Sequence, residues 1–149
     1  MMRDQLRVRN LTLTDAELQI LNIIKNNYVM DNYTTVIDVA SKVRQFDLRN
    51  NDYIIIDTLT GKDTPFSVSD NANEWMYKEM ITVLMNTGDS REHLVAIKNQ
   101  VRTILRDYTH WIPYFVLVNV VNGNDLSGNE RGIYRYLYTV EIWLDEIVR

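Results

Sequence analysis

Cysteine is absent from the 149 residues, which removes disulfides, thiolate nucleophiles and thiolate zinc sites together. Histidine occurs only twice, at His93 and His110. An excess of positive charge is missing as well. A formal net charge of -4 and a pI near 5.1 argue against a dedicated nucleic-acid binder, whose footprint is basic. An acidic surface repels DNA, which would suit a protein that lets DNA slide past it. No apolar run approaches the roughly 20 residues of a membrane span. The first nine residues carry charge without an apolar core, so no signal peptide is expected. The expectation is a soluble chain made in the cytoplasm, with no membrane contact. What is there is ordinary for a globular domain: 46% hydrophobic and 24% charged residues. The length fits one domain over residues 1–149, with a core that needs no staples. Asn is abundant, and 9 Tyr with 3 Trp supply either interface area or an aromatic core.

Residues 1–13 read as an arm. Arg3, Arg7 and Arg9 are interspersed with Leu6, Val8 and Leu11 in a period-2 pattern that could pair with a neighbour's sheet edge. A frayed terminus explains it as well. Thr14-Asp15-Ala16-Glu17 is a capping box, and Ile20, Ile24 and Tyr28 form the stripe of a helix that Asn26-Asn27 ends. Residues 29–50 fit a short helix or an irregular strand. Lys42, Arg44 and Arg49 make that segment basic, as a solvated face or as a contact for nucleic acid or an acidic partner. Tyr53-Ile54-Ile55-Ile56-Asp57 reads as a central strand, and Gly61 to Pro65 as a turn. Residues 74–87 carry apolar side chains on both alternating sets, predicting a long strand covered on both sides for part of its length.

Asp89 or Ser90 caps a second helix in which Leu94, Ile97, Val101, Ile104, Leu105 and Tyr108 recur at helical spacing. Pro113 stops it, and residues 114–121 are β-branched and strand-like. Residues 122–132 hold three glycines and little that is apolar except Leu126, predicting a mobile hairpin loop. A final strand follows, with Tyr134, Tyr136, Tyr138, Val140, Ile142 and Leu144 on one face.

The motifs of chemistry do not form. There is no G-x-S-x-G elbow. His93 reads as a surface or boundary histidine. His110, three residues after Asp107, would need a further ligand to hold a metal. The oxygen-rich 122–130 segment misses calcium-loop spacing, and Gly61-Lys62 is followed by Asp63, unlike a P-loop. Asp57 with Lys78-Glu79 has the wrong order for a nuclease site, and Asp145 and Glu146 prove nothing among 20 acids. Catalytic, cofactor and metal residues are therefore expected to be none.

A capped helix, a central strand pair, the strand at 75–85 leading into the helix at 90–108, and terminal strands at 114–121 and 132–144 resemble the tail terminator proteins of tailed bacteriophages. The likeness covers roughly residues 14–146. It implies an α/β (α+β) domain whose mixed, mainly antiparallel sheet is flanked by helices. It also implies a homo-oligomeric ring, a hexamer, that stops tail-tube growth in the virion. The partners implied are the tail tube protein and a neck or connector protein, with DNA passing through the lumen without specific binding. Residues placed to make such contacts are Arg7 and Arg9 in the arm, Lys42, Arg44 and Arg49 in the basic segment, and Asn124, Asp125, Leu126, Asn129 and Arg131 in the loop. That loop is expected to order on docking. Rival readings are another neck or head-completion protein, a ferredoxin-like small-molecule or RNA-binding module, and an enzyme whose pocket is hidden in a single sequence.

Overall fold

A computed structural model describes residues 16–30, 34–43, 45–59, 64–67, 74–109, 115–128 and 132–147. Among these residues the fold is α+β: one mixed sheet backed by two α-helices. Helix α1 (Ala16–Asn27) buries Ala16, Ile20, Leu21 and Ile24, the stripe expected from the sequence. The capping residues Thr14 and Asp15 lie outside the described residues. Glu17 accepts a hydrogen bond from Thr58 Oγ1 at 2.7 Å, which ties the start of α1 to the far end of a strand.

That strand is β2 (Asn51–Thr58), and beside it in parallel lies β1 (Thr34–Val39). The segment left open between helix and strand is thus a strand followed by a single 3-10 turn at 40–42. The chain then returns along the sheet. Phe46 packs tilted against Tyr53 with ring centroids 4.7 Å apart, and the Tyr53 hydroxyl accepts from the Asp47 amide at 2.7 Å. Strand β3 (Thr64–Ser67) pairs with β4 (Glu74–Thr87), so Thr64 and Pro65 are not turn residues as expected. Proline is tolerated there because β3 pairs on one side only among the described strands.

Helix α2 (Arg91–Tyr108) follows, then β5 (Phe115–Asp125) and β6 (Tyr134–Ile147). The strand order is β1-β2-β4-β6-β5, parallel only between β1 and β2. Strands β4 and β6 pair over all 14 residues of each, about 46 Å of ladder at ~3.3 Å per residue.

Register sorts the side chains. Ile37 and Val39, Ile54 and Ile56, Ile81, Val83 and Met85, and Tyr138, Val140 and Ile142 share the inner face and form one core with both helices. Helix α1 packs on β1 and β2, and α2 on β4, β6 and β5. Both described helices therefore flank the same side of the sheet. On the outer face Met80, Thr82, Leu84, Leu137 and Thr139 are half-buried. Among the described side chains of β4, both faces are fully covered near Asn86, where the 45–50 connection lies so close that a Cβ on Gly88 would stand 2.5 Å from the Leu48 carbonyl oxygen. Asn86 is buried with neither amide atom hydrogen-bonded, a cost of about 1–3 kcal/mol.

The first part of the expected mobile loop is strand. Residues 122–125 belong to β5 and pair with 136–139 of β6. Backbone pairing needs no apolar side chain, so a polar, glycine-containing run can still be strand. Gly123 makes room: a Cβ there would sit 2.6 Å from the Tyr136 hydroxyl. Bulges between 115 and 117 and between 120 and 122 shift the register on either side. No helix among the described residues is long and apolar enough to cross a membrane.

Candidate functional site

The start of β2, the end of β4, the start of β6, the end of β5 and the first turn of α2 meet at one end of the sheet. Two polar clusters occupy this corner. The inner one centres on Asp52, which is 2% exposed. Thr87 Oγ1 donates to Asp52 Oδ1 at 2.7 Å, and His93 Nε2 donates to Oδ2 at 2.5 Å. Thr87 Oγ1 also accepts from the Asp89 amide at 3.2 Å, and Ser90 Oγ caps α2 by accepting from the His93 amide at 3.1 Å. The order of groups matters chemically. In a hydroxyl–imidazole–carboxylate relay the imidazole lies between the other two. Here the carboxylate lies between, so the Thr87 proton is held by Asp52 and Thr87 does not reach the His93 ring nitrogen that Asp52 engages. The cluster ties β2, β4 and α2 together.

The outer cluster lies on the shoulder of β5. Arg91 pairs with Asp125, whose Oδ1 also accepts from the Ser127 amide at 2.9 Å. Ser127, through its side chain and its amide, is the main reason the Asp125 carboxyl is lowered to about 2, with Arg91 adding to it. Ser127 Oγ exchanges hydrogen bonds with the Arg135 backbone, and the Leu126 amide donates to the Arg135 carbonyl at 2.9 Å. Basic groups lie over tyrosines beside it: Arg91 6.0 Å from the Tyr134 ring and Lys98 4.5 Å from Tyr136. Tyr136 meets Tyr138 edge-on at 5.3 Å, and burial raises the Tyr138 phenol. The tyrosine face of β6 therefore packs under α2 and is not an open platform for stacking bases.

From this shoulder the edge strand β5 runs outward. Leu117 is 51% exposed, Val121 45% and Leu126 48%. Its outer edge has no strand partner among the described residues. Between Leu117 and Asn124 it carries no charged residue and no proline, two of the devices that natural edge strands use against pairing with another chain, while a third, a bulge, lies between 120 and 122.

Of the residues singled out from the sequence, Asn124, Asp125 and Leu126 come together here. Asn124 and Asp125 are strand residues, and Asp125 is pinned. Lys42 and Arg49 are both exposed, yet they do not form one patch. Lys42 follows the end of β1 and Arg49 precedes the start of β2, and in a parallel pair these are opposite ends, about 20 Å apart at ~3.3 Å per residue. Arg7, Arg9, Arg44, Asn129, Arg131 and His110 lie outside the described residues. Among those described, no group of three metal-ligating side chains occurs. Sequence reasoning missed the Asp52–His93 tie. Its one signal is an acid directly before the apolar run Tyr53-Ile54-Ile55-Ile56, and nothing in the spacing connects it to a residue 41 positions away. Comparison with protein-family models and with curated proteins finds no match.

Proposed function

We propose that this chain is a structural subunit that assembles into a ring, a hexamer, which ends a phage tail tube and joins the tail to the neck or connector of the virion. The observation that carries assembly is the β5 edge, unpaired among the described residues, uncharged between Leu117 and Asn124, and lined by exposed Leu117 and Val121. An exposed apolar edge of this kind is a template for another chain. The order of elements supports the tail-terminator form of the reading: helix, paired strands, a long strand leading into the principal helix, then two terminal strands.

The mechanism is geometric. A subunit whose two edges differ makes a head-to-tail contact that closes by rotation into a ring. One face of the ring would complement the last tube ring and the other a connector protein. An acidic lumen would pass DNA without gripping it. Native mass spectrometry with negative-stain imaging should give a closed ring with a central hole, and the rings should cap purified tail tubes. A chain that stays monomeric and leaves tube ends uncapped would overturn the reading.

A further inference from the structure

We infer that the outward face of α2 pairs with the same face of a second copy, the two helices antiparallel about a two-fold axis through Asn99. The inference goes beyond the assembly reading above and does not rest on it. A head-to-tail ring closes through the sheet edges, whereas α2 lies in the helix layer. Alone the contact gives a dimer; between rings it joins two of them.

The face follows from the helical period. Leu94, Ile97, Val101, Ile104 and Leu105 are buried, so the opposite side of α2 points away from the sheet. It carries Glu92, Asn99 and Arg106 in one row, seven residues apart. Ala96 and Thr103 lie on one flank of that row, Val95 and Arg102 on the other, and every one of these residues is exposed. A seven-residue spacing is the repeat that keeps the same rows of two helices in contact.

The order of charge along the row chooses both the partner and the direction. The acid stands at the start, the base at the end and the amide midway. In a parallel copy Glu92 would meet Glu92, and Arg106 would meet Arg106. Reversed about Asn99, Glu92 meets the partner's Arg106 at one end, and Arg106 meets the partner's Glu92 at the other. Asn99 meets its own copy, where two side-chain amides exchange donor and acceptor. The flanks agree. Val95 falls beside the aliphatic stem of the partner's Arg102, and Ala96 beside the methyl of the partner's Thr103. A face complementary to itself in one orientation is what a two-fold contact requires.

Both charged groups are able to take up the contact. The Glu92 carboxylate has no partner among the described residues. Arg106 holds Asp107 through Nε and one terminal nitrogen, which leaves its other terminal nitrogen for a second carboxylate. Apolar area lies beside the midpoint of the row. Gln100 accepts from the Val29 amide at 2.5 Å and donates to the Val29 carbonyl at 3.3 Å. That holds Val29, at 74% the most exposed large apolar residue described, and the exposed Met30 next to the middle of α2. On that flank the Val29 and Met30 of each copy approach the axis. Glu92 to Arg106 spans about 21 Å, a small contact beside that of stable dimers, so the association is weak, with Kd on the order of 100 µM.

Sedimentation velocity of the full chain, at concentrations spanning that value, tests it. Glu92→Arg and Arg106→Glu each turn two attractions into two repulsions and should weaken self-association about tenfold. Mixed in equal amounts, the two variants are complementary at both ends and should associate with each other as the parent does with itself. Calorimetry on each variant keeps a loss of folding apart from a loss of contact. Because the chain has no cysteine, Asn99→Cys, on the axis, should form disulfide-linked pairs under mild oxidation faster than Asp57→Cys, which is exposed on the sheet.

Single variants that associate like the parent overturn the inference, and so does a mixture no tighter than its components. Equal cross-linking at positions 99 and 57 overturns it too, as does a parent chain that shows no self-association through α2. Rings whose assembly ignores all of these substitutions, with no pairing between them, overturn it and leave the ring reading standing. Pairing that follows the charges without any ring supports it and counts against the ring.

Discussion

Arg91 and His93 stand two residues apart in the first turn of α2, and each meets an aspartate. Arg91 reaches outward to Asp125, an ion pair whose side chains are 55% and 41% exposed. His93 reaches inward to Asp52, where the corresponding values are 13% and 3%. The outer pair has formal charge on both partners, yet water and ions already satisfy those charges and screen them, so its contribution is small. In the inner pair no solvent replaces a lost partner. Removing one member strands the other in the interior, and the cost is that of an unpaired buried polar group. Burial, not formal charge, decides what the two ties are worth.

The comparison breaks first at Asp52. Asp52→Ala deprives Thr87 and His93 of a common acceptor and should cost about 3 kcal/mol, lowering Tm by roughly 10 °C for a chain of this size. Calorimetry showing a change below a third of that would mean the corner relaxes to let water in. His93→Ala leaves Asp52 with the Thr87 hydroxyl as its one remaining partner of the pair described, and should cost about 1.5–2 kcal/mol. If its loss exceeded that of Asp52→Ala, the imidazole rather than the carboxylate would be the hub. Urea unfolding at constant m-value separates the two.

Asp125→Asn should cost less than about 0.5 kcal/mol at neutral pH, and less again in 0.5 M salt at a Debye length of ~4 Å. The sign with pH follows from the folded-state value of about 2, below the ordinary 3.8. A carboxyl lowered on folding stabilises above its ordinary value, and the contribution disappears as pH falls from about 3.8 towards 2. Parent and variant should therefore converge in Tm at the acid end. A gap that widens there would show that the Ser127 hydrogen bonds are not what holds the carboxylate.

What could be read from the sequence follows from range. Helix α2 is written locally, because Leu94, Ile97, Val101 and Ile104 recur with the helical period and all four are buried. The same holds for Ile20 and Ile24 of α1 and for Tyr138, Val140 and Ile142 of β6. Strand β1 was not legible because six residues are too few for a period to declare itself and its pairing is parallel, joining segments through a connection. Strand β3 was hidden by Pro65, and the end of β5 by Asn122, Gly123 and Asn124, whose place in the sheet depends on backbone bonds to β6. The shoulder at Asn124, Asp125 and Leu126 was found as a location, but its rigidity comes from Arg91 and Ser127. The inner tie depends wholly on tertiary proximity.

The strand order has a consequence for how the molecule is made. Strand β6 lies between β4 and β5, yet it follows both in the chain. During synthesis β4 and β5 leave the ribosome with no β6 between them, and the core residues Val140 and Ile142 arrive afterwards. The sheet closes only when β6 inserts into a slot already bounded on both sides. Pairings so distant in sequence make such closure slow relative to local helix formation. Until it happens the β5 backbone is open on both sides, and in a crowded translation complex a second nascent chain competes for the place that β6 will take.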